Sequence, residues 1–274
     1  MNADDFGLTA GVNRAIAELH EAGLLTSATL MTRAGATDEA IAMARARTTL
    51  GVGCHIVLAD GEPMLPVREI GSLVDKKTGH FPASLPRFVR RLLTRRIHAV
   101  EIEAEARAQI EFLQSKGVRL THIDTHKHTH MFPTVLRAVL RAGRACGIGA
   151  VRNPFEPAWA IAATRCAPWV RVAEVSALKW LEPVCRRIIK EEGFLTTDGT
   201  IAMAGTGVLN PVVVREMLNA ATHGTWELVT HPGYNDADLA LVRTRLRASR
   251  DVEREALETL REFKEVRRVS YAEL

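Results

Sequence analysis

Short apolar stretches alternate with longer amphipathic ones along most of the 274 residues, and that alternation narrows the choice of fold. Residues 27–31, 50–58, 118–124 and 226–230 read as strands, with shorter ones at 150–152 and from Val269 onward. Helical segments run between them, over 9–22, 37–47, 99–116, 133–146, much of 159–190, 211–221 and a long region at 238–265. Thr9 is a candidate N-cap; Val12, Ala15, Ile16 and Leu19 form the apolar stripe of the first helix, and Gly23 stops it. Asn210-Pro211 places an N-cap before a proline at the first helical position. Strands that alternate with helices predict a parallel sheet or barrel with the helices outside. Residues 59–96 break the pattern with four prolines and three glycines. A loop excursion of that length is usually functional, often a lid.

Polar residues gather at the C-terminal ends of the predicted strands: Asp4-Asp5, His55, His122 to His130, Arg152 and His231. Active sites of parallel barrels sit at that end. Residues 122–130 hold four of the ten histidines and one acid, all on one parity: His122, Asp124, His126, His128 and His130. If the stretch were extended throughout, all five would share a face. A lone histidine is more often a satisfied core residue; this pattern favours a metal site, because neutral imidazole is a common ligand and its second nitrogen needs a partner. A catalytic metal takes about three protein ligands and keeps one position open, and Asp5, His55 and His126 make such a set. Adjacent Asp4 and Asp5 reach one site only if the chain leaves strand geometry there, which Phe6-Gly7 permits. One acid would then hold the metal while the other serves as general base. His231, before Pro232-Gly233, is a candidate general acid. Arg152 either holds a substrate oxygen or orients an acid, and Asp124 and His128 are read as substrate contacts or supports for the ligands.

The net charge of +4 is too small to argue for nucleic acid, and 5% aromatic content gives little base-stacking surface. The start of the chain has no basic-then-apolar signal pattern, and no uninterrupted apolar run is long enough to span a bilayer, so a cytoplasmic protein is expected. Cys54, Cys146, Cys166 and Cys185 are scattered and read as reduced.

Four motifs carry a resemblance: Asn2-Ala3-Asp4-Asp5-Phe6-Gly7, Gly53-Cys54-His55-Ile56-Val57-Leu58, Thr121 through Pro133, and Thr230-His231-Pro232-Gly233-Tyr234. Together, and in this order, they resemble the YdjC-like carbohydrate deacetylases across nearly the whole chain. The resemblance implies one domain over 1–274 with a distorted, TIM-like (β/α) barrel, a long insertion or lid at 59–96 after the third strand, and removal of N-acetyl groups from amino sugars such as chitooligosaccharides. It implies Asp5, His55 and His126 as ligands of one divalent metal, Asp4 as the base and His231 as the acid. The donor set suits zinc or another first-row ion, with magnesium left open. Residues 152–157 and 224–236 are most similar to the hopanoid-biosynthesis-associated branch, which implies an N-acetylglucosaminyl hopanoid as substrate. Family members usually carry several apolar strand residues before the Asp-Asp pair, whereas this chain starts at Met1-Asn2, so a shortened first strand is expected. Residues 86–96 mix five arginines with Phe88, Val89, Leu92 and Leu93. They read either as a peripheral membrane contact near the inner face or as a solvated helix face over the core. The rivals are a two-metal phosphoesterase, which would draw more of His122, Asp124, His128 and His130 onto metal, and a non-enzymatic glycolipid-binding protein.

Overall fold

A computed structural model describes residues 1–221 and 223–274. Six parallel strands form one sheet in the order β4-β3-β2-β1-β6-β5. They are β1 (Asn2–Phe6), β2 (Ser27–Leu30), β3 (Gly51–Ile56), β4 (Leu120–Thr125), β5 (Gly199–Ile201) and β6 (Trp226–Thr230). The two outer strands are joined by irregular pairing. Ile123 of β4 bridges Val151, Ala150 bridges Leu195, and the chain that follows becomes β5. The sheet thus curls into a distorted (β/α) barrel. Its apolar residues point into layers sealed by the helices: Ala3, Leu30, Ile56, Ile123 and Leu228 are all buried. Burying each large aliphatic side chain contributes about 1.5–3 kcal/mol.

The helices are α1 (Ala10–Glu21), α2 (Thr37–Ala46), α3 (Leu85–Leu93), α4 (Ala99–Ser115), α5 (Pro133–Ala145), α6 (Ala158–Ala163), α7 (Trp169–Leu178), α8 (Glu182–Glu191), α9 (Pro211–Ala220), α10 (Ala237–Leu241) and α11 (Ser249–Leu257). Local chemistry sets several of their starts. The Thr9 hydroxyl accepts from Val12 N, and the Asn210 side chain accepts from Val212 N and Val213 N. Each such cap stabilises its helix by about 1 kcal/mol.

The insertion after β3 is irregular up to α3 and is held down on α4. Glu105 accepts from Met64 N at 2.7 Å and Leu65 N at 3.0 Å, and Glu101 accepts from Ser72 N at 2.7 Å. Ile70, Leu73, Phe81 and Phe88 are buried beneath it. Phe88, Val89 and Leu92 of α3 pack on the core, while Arg87, Arg90, Arg95 and Arg96 are exposed.

Several expectations are corrected. The histidine stretch does not stay extended: β4 ends at Thr125, and His126–Met131 forms a 3-10 turn with Lys127 and His128 at φ of 56° and 51°. Parity therefore fails as a guide beyond Thr125. The region 238–265 is not one helix but α10, α11 and a 3-10 turn over Glu258–Glu262. No strand begins at Val269 among the described residues; Tyr271–Glu273 is a 3-10 turn closed by a Ser270–Glu273 capping box. Residues 150–152 contribute single bridges rather than a strand, and β5 has too few residues to carry a recognisable pattern.

Candidate active site

β1 supplies both acids through a bulge. Ala3 pairs with Ala28 and Phe6 with Leu30, so three steps on β1 oppose two on β2, and Asp5 sits at φ 63°. A left-handed non-glycine residue costs on the order of 1 kcal/mol or more, and here it turns both carboxylates toward one side. Leu8 N donates to Asp5 O at 3.0 Å, and Gly7 N to Asn13 Oδ1 at 2.8 Å, which hold the turn.

Asp5 Oδ1 lies 3.6 Å from His55 Nε2 and 3.3 Å from His126 Nδ1, and the two ring nitrogens are 3.2 Å apart. Asp5 Oδ1 is buried and has no hydrogen-bond partner among the described residues. These three side chains form a group whose donor atoms all fall within 4.8 Å of one another, which fits one small cation. His55 is aimed by its other nitrogen: Nδ1 lies 2.8 Å from Asp124 Oδ1. An N–H donated there leaves the Nε2 lone pair facing Asp5 and His126. Burial pushes the His55 pKa down, but the carboxylates of Asp124, Asp4 and Asp5 together outweigh it and raise it to about 9. A cation arriving at Nε2 would displace a proton.

Around this set, five buried carboxylates (Asp4, Asp5, Asp124, Glu227 and Glu253) face two buried guanidiniums, Arg152 and Arg250. Arg152 is wholly buried. Its Nη1 and Nη2 donate to Asp4 at 2.9 and 2.6 Å, its Nε and Nη2 to Glu227 Oε1 at 3.0 and 2.8 Å, and Nη1 also pairs with Asp124. Burial alone would raise the Asp4 and Asp124 pKa values; the Arg152 guanidinium, with the His55 imidazole beside both, overrides it and holds both carboxyls below the usual range. Asp4, His55 and Asp124 also converge closely enough to suggest a second cation. Arg152 already occupies the space between the two aspartates, so that second group argues for an ion-pair network and against a two-metal centre. Arg152 has no exposed surface with which to meet a substrate.

His231, at the end of β6, faces Asp4 Oδ2 across 3.9 Å from Nε2, and its Nδ1 lies 3.7 Å from Glu253 Oε2. Its backbone N donates to the same Glu253 oxygen at 2.6 Å. Burial lowers the His231 pKa, but the carboxylates of Glu253, Asp4 and Asp5 together outweigh it and the net shift is upward. Glu253→Gln removes the largest upward push and leaves only those of Asp4 and Asp5 against burial, so the pKa falls. If protonated His231 is required for turnover, the alkaline limb of the kcat/KM–pH profile moves to lower pH in that variant, because the acid loses its proton earlier as pH rises. A limb that stays in place would show that another group sets it.

The remaining histidines of the stretch separate from the set. His122 stacks on Tyr271 at 3.9 Å, and a Cβ on Gly53 would meet its ring at 2.5 Å, so it fills space beside β3. Burial pushes its pKa down to about 3, and that of His130 to about 4. His130 is fixed by Thr125 Oγ1 at 2.7 Å from its Nδ1. His128 is half-buried, with its ring 6.4 Å from that of His130. Sequence reading missed Arg250, which donates to Asp5 Oδ2 at 2.5 Å, and Glu253, one turn along the same helix α11. It also missed Glu227, an acid inside the apolar strand β6, which takes a bond from Tyr271 Oη at 2.5 Å. The acid within an apolar strand was the available signal for Glu227; α11 gave none, since charged residues there read as a solvated face.

The fold matches a crystal structure from Enterococcus faecalis V583, described as that of a cellobiose-phosphate cleavage protein, with a TM-score of 0.79 and 24% identity over 99% of this chain and 96% of the other. A carbohydrate deacetylase of Brevibacillus brevis is 43% identical over 143 residues, 52% of this chain and 53% of that protein. The aligned part thus spans about half of that relative's length. A carbohydrate deacetylase of Thermoanaerobacter pseudethanolicus is 28% identical over 257 residues, covering 94% of this chain and 89% of the relative. The family model described as YdjC-like protein matches residues 1–267, nearly the whole length over which the acids, histidines and arginines of the cluster are distributed, and the chain belongs to the YdjC-like family.

Proposed function

We propose that the protein is a metal-dependent carbohydrate deacetylase that hydrolyses the acetamide of an N-acetylglucosamine-containing substrate, with an N-acetylglucosaminyl hopanoid lipid as the preferred one. The observation that carries this reading is the convergence of Asp5, His55 and His126 on one buried point, flanked by a carboxylate on one side and a histidine on the other. Two relatives named carbohydrate deacetylases support the reaction class. The hopanoid preference rests on the similarity of 152–157 and 224–236 to that branch of the family.

Asp5, His55 and His126 would hold the ion. A divalent cation there supplies Lewis-acid polarisation of the amide carbonyl and of water; two imidazoles and a carboxylate suit zinc or another first-row ion over magnesium. Asp4, kept charged by Arg152, accepts a proton as the water oxygen bonds to the carbonyl carbon. His231, whose pKa the neighbouring Glu253 raises, donates a proton to the nitrogen as the C–N bond breaks, because an amide anion is a very poor leaving group. Acetate and a free amine result. Arg152 and Asp124 act through Asp4 and His55, as positioning residues. His128 is assigned to substrate contact. A cleft of about 1070 Å³ opens beside the strand ends, bordered by Leu8, Met31, Val57 and Asp60. Asp60 pairs with Lys127 at 2.5 Å, which ties the insertion to the histidine turn.

Acetate release from an N-acetylglucosaminyl hopanoid and from diacetylchitobiose, measured with metal-stripped and zinc-restored protein, tests the reading. Metal-dependent release from the hopanoid alone is the expected result. Release from the disaccharide alone keeps the reaction and removes the lipid. Release from neither, with metal bound, overturns both.

A further inference from the structure

The excursion between Val151 and Leu195 carries a surface that the proposed chemistry does not use. It leaves the sheet after a parallel bridge to β4, at the end where Asp5, His55 and His231 lie. Its last helix, α8, abuts the histidine turn: Cys185 Sγ is 3.3 Å from Met131 O. The preceding helix, α7, turns only Val175 fully inward. On the opposite face, at helical spacing, stand Trp169, Val170, Ala173, Ala177 and Trp180, the last in the 3-10 turn that continues the helix. All five are exposed, and the two tryptophans are 81% and 87% accessible. The other two tryptophans of the chain, Trp159 and Trp226, are half-buried and pack edge to face at 5.3 Å. A charge-free stripe ending in a water-exposed indole on both sides is costly in solution and marks a contact surface.

We propose that this face of α7 seats the protein on an anionic lipid surface. Two arguments select lipid over a second copy of the chain. The stripe offers on the order of 500 Å², below the roughly 800 Å² per partner of a stable protein interface, whereas a bilayer demands no matching shape. The flanks are also basic: Arg165, Arg171 and Lys179 outnumber Glu174 over 165–181. Indole rings with cationic neighbours are the composition of helices that lie in the headgroup region. Contact there would hold the C-terminal end of the barrel toward the membrane. It does not depend on which sugar is cleaved.

The test is flotation of the full-length protein with vesicles of phosphatidylcholine alone and of phosphatidylcholine mixed with phosphatidylglycerol. Binding to the mixed vesicles is expected, with a blue shift in tryptophan emission. W169A/W180A should weaken it at least about tenfold, since bound apolar area sets the affinity. The double variant should melt like the parent, because neither ring is packed. Acetate release from a soluble amino-sugar substrate, where the parent shows it, should also be unchanged. Absence of vesicle binding by the parent overturns the proposal, as does equal binding by the variant. A tryptophan-dependent dimer in light scattering without lipid would also overturn it, assigning the face to a second copy.

Discussion

His126→Ala is expected to lower deacetylation by on the order of 10³-fold, about 4 kcal/mol on the barrier, and to reduce the divalent metal retained after dialysis. The ring contributes one of the three donors of the Asp5, His55 and His126 set, and it is only half-buried, so its removal opens the site without leaving a large hole in the core. Two donors do not hold a catalytic ion in place against water. His128→Ala gives the contrasting result: its ring lies outside the donor set, so KM rises while metal content stays that of the parent. Metal analysis beside the kinetics separates the two. Unchanged metal content and rate in His126→Ala would remove this residue from the site and move the proposed centre elsewhere.

The second large effect is on stability. Arg152→Met leaves Asp4, Asp124 and Glu227 buried together without their shared cation. Breaking a buried ion pair by removing one partner costs about 3–5 kcal/mol, which for a chain of this size lowers Tm by on the order of 10 °C. The pH dependence has a definite sign. In the parent, the Asp4 and Asp124 pKa values lie below the ordinary value, so these groups contribute stability above the unfolded-state pKa, and it is lost as pH falls through the depressed native values. Without Arg152 the strongest opposition to burial is gone, both values move up, and protonation then relieves the variant. The gap in Tm between parent and variant therefore narrows from neutral to mildly acidic pH. Adding Glu227→Gln to Arg152→Met should recover part of the loss, because it removes one of the uncompensated charges. Equal melting of parent and Arg152→Met would show that the guanidinium is not the keystone of the cluster.

Strand–helix alternation was legible because it rests on local chemistry. Thr9 and Asn210 cap helices with groups two or three residues away, and Pro133 and Pro211 open α5 and α9 with a backbone angle already set. His55, His126 and His231 stood out for a related reason: each lies at or near the end of a readable strand, and strand ends of a parallel barrel face one site; Asp4 and Asp5 stood out as an acid pair before the Phe6-Gly7 turn. Where the histidine stretch left extended geometry at Thr125, periodicity lost its meaning, and His130 became a packed core residue; His122, still within β4, was claimed by its stack on Tyr271 instead.

Determined by the sequence alone, then, were the alternating elements, the end of the barrel where the acids and histidines gather, and the residue types present there. Tertiary structure decided which charges meet. Arg250 reaches Asp5 across 245 positions, Arg152 reaches Asp4 across 148, and Glu253 comes to His231 from a helix that reads as solvated. Helical and strand periodicities are set by neighbours a few residues apart, whereas the partner of a buried charge is set by how the layers pack, and no local pattern records it.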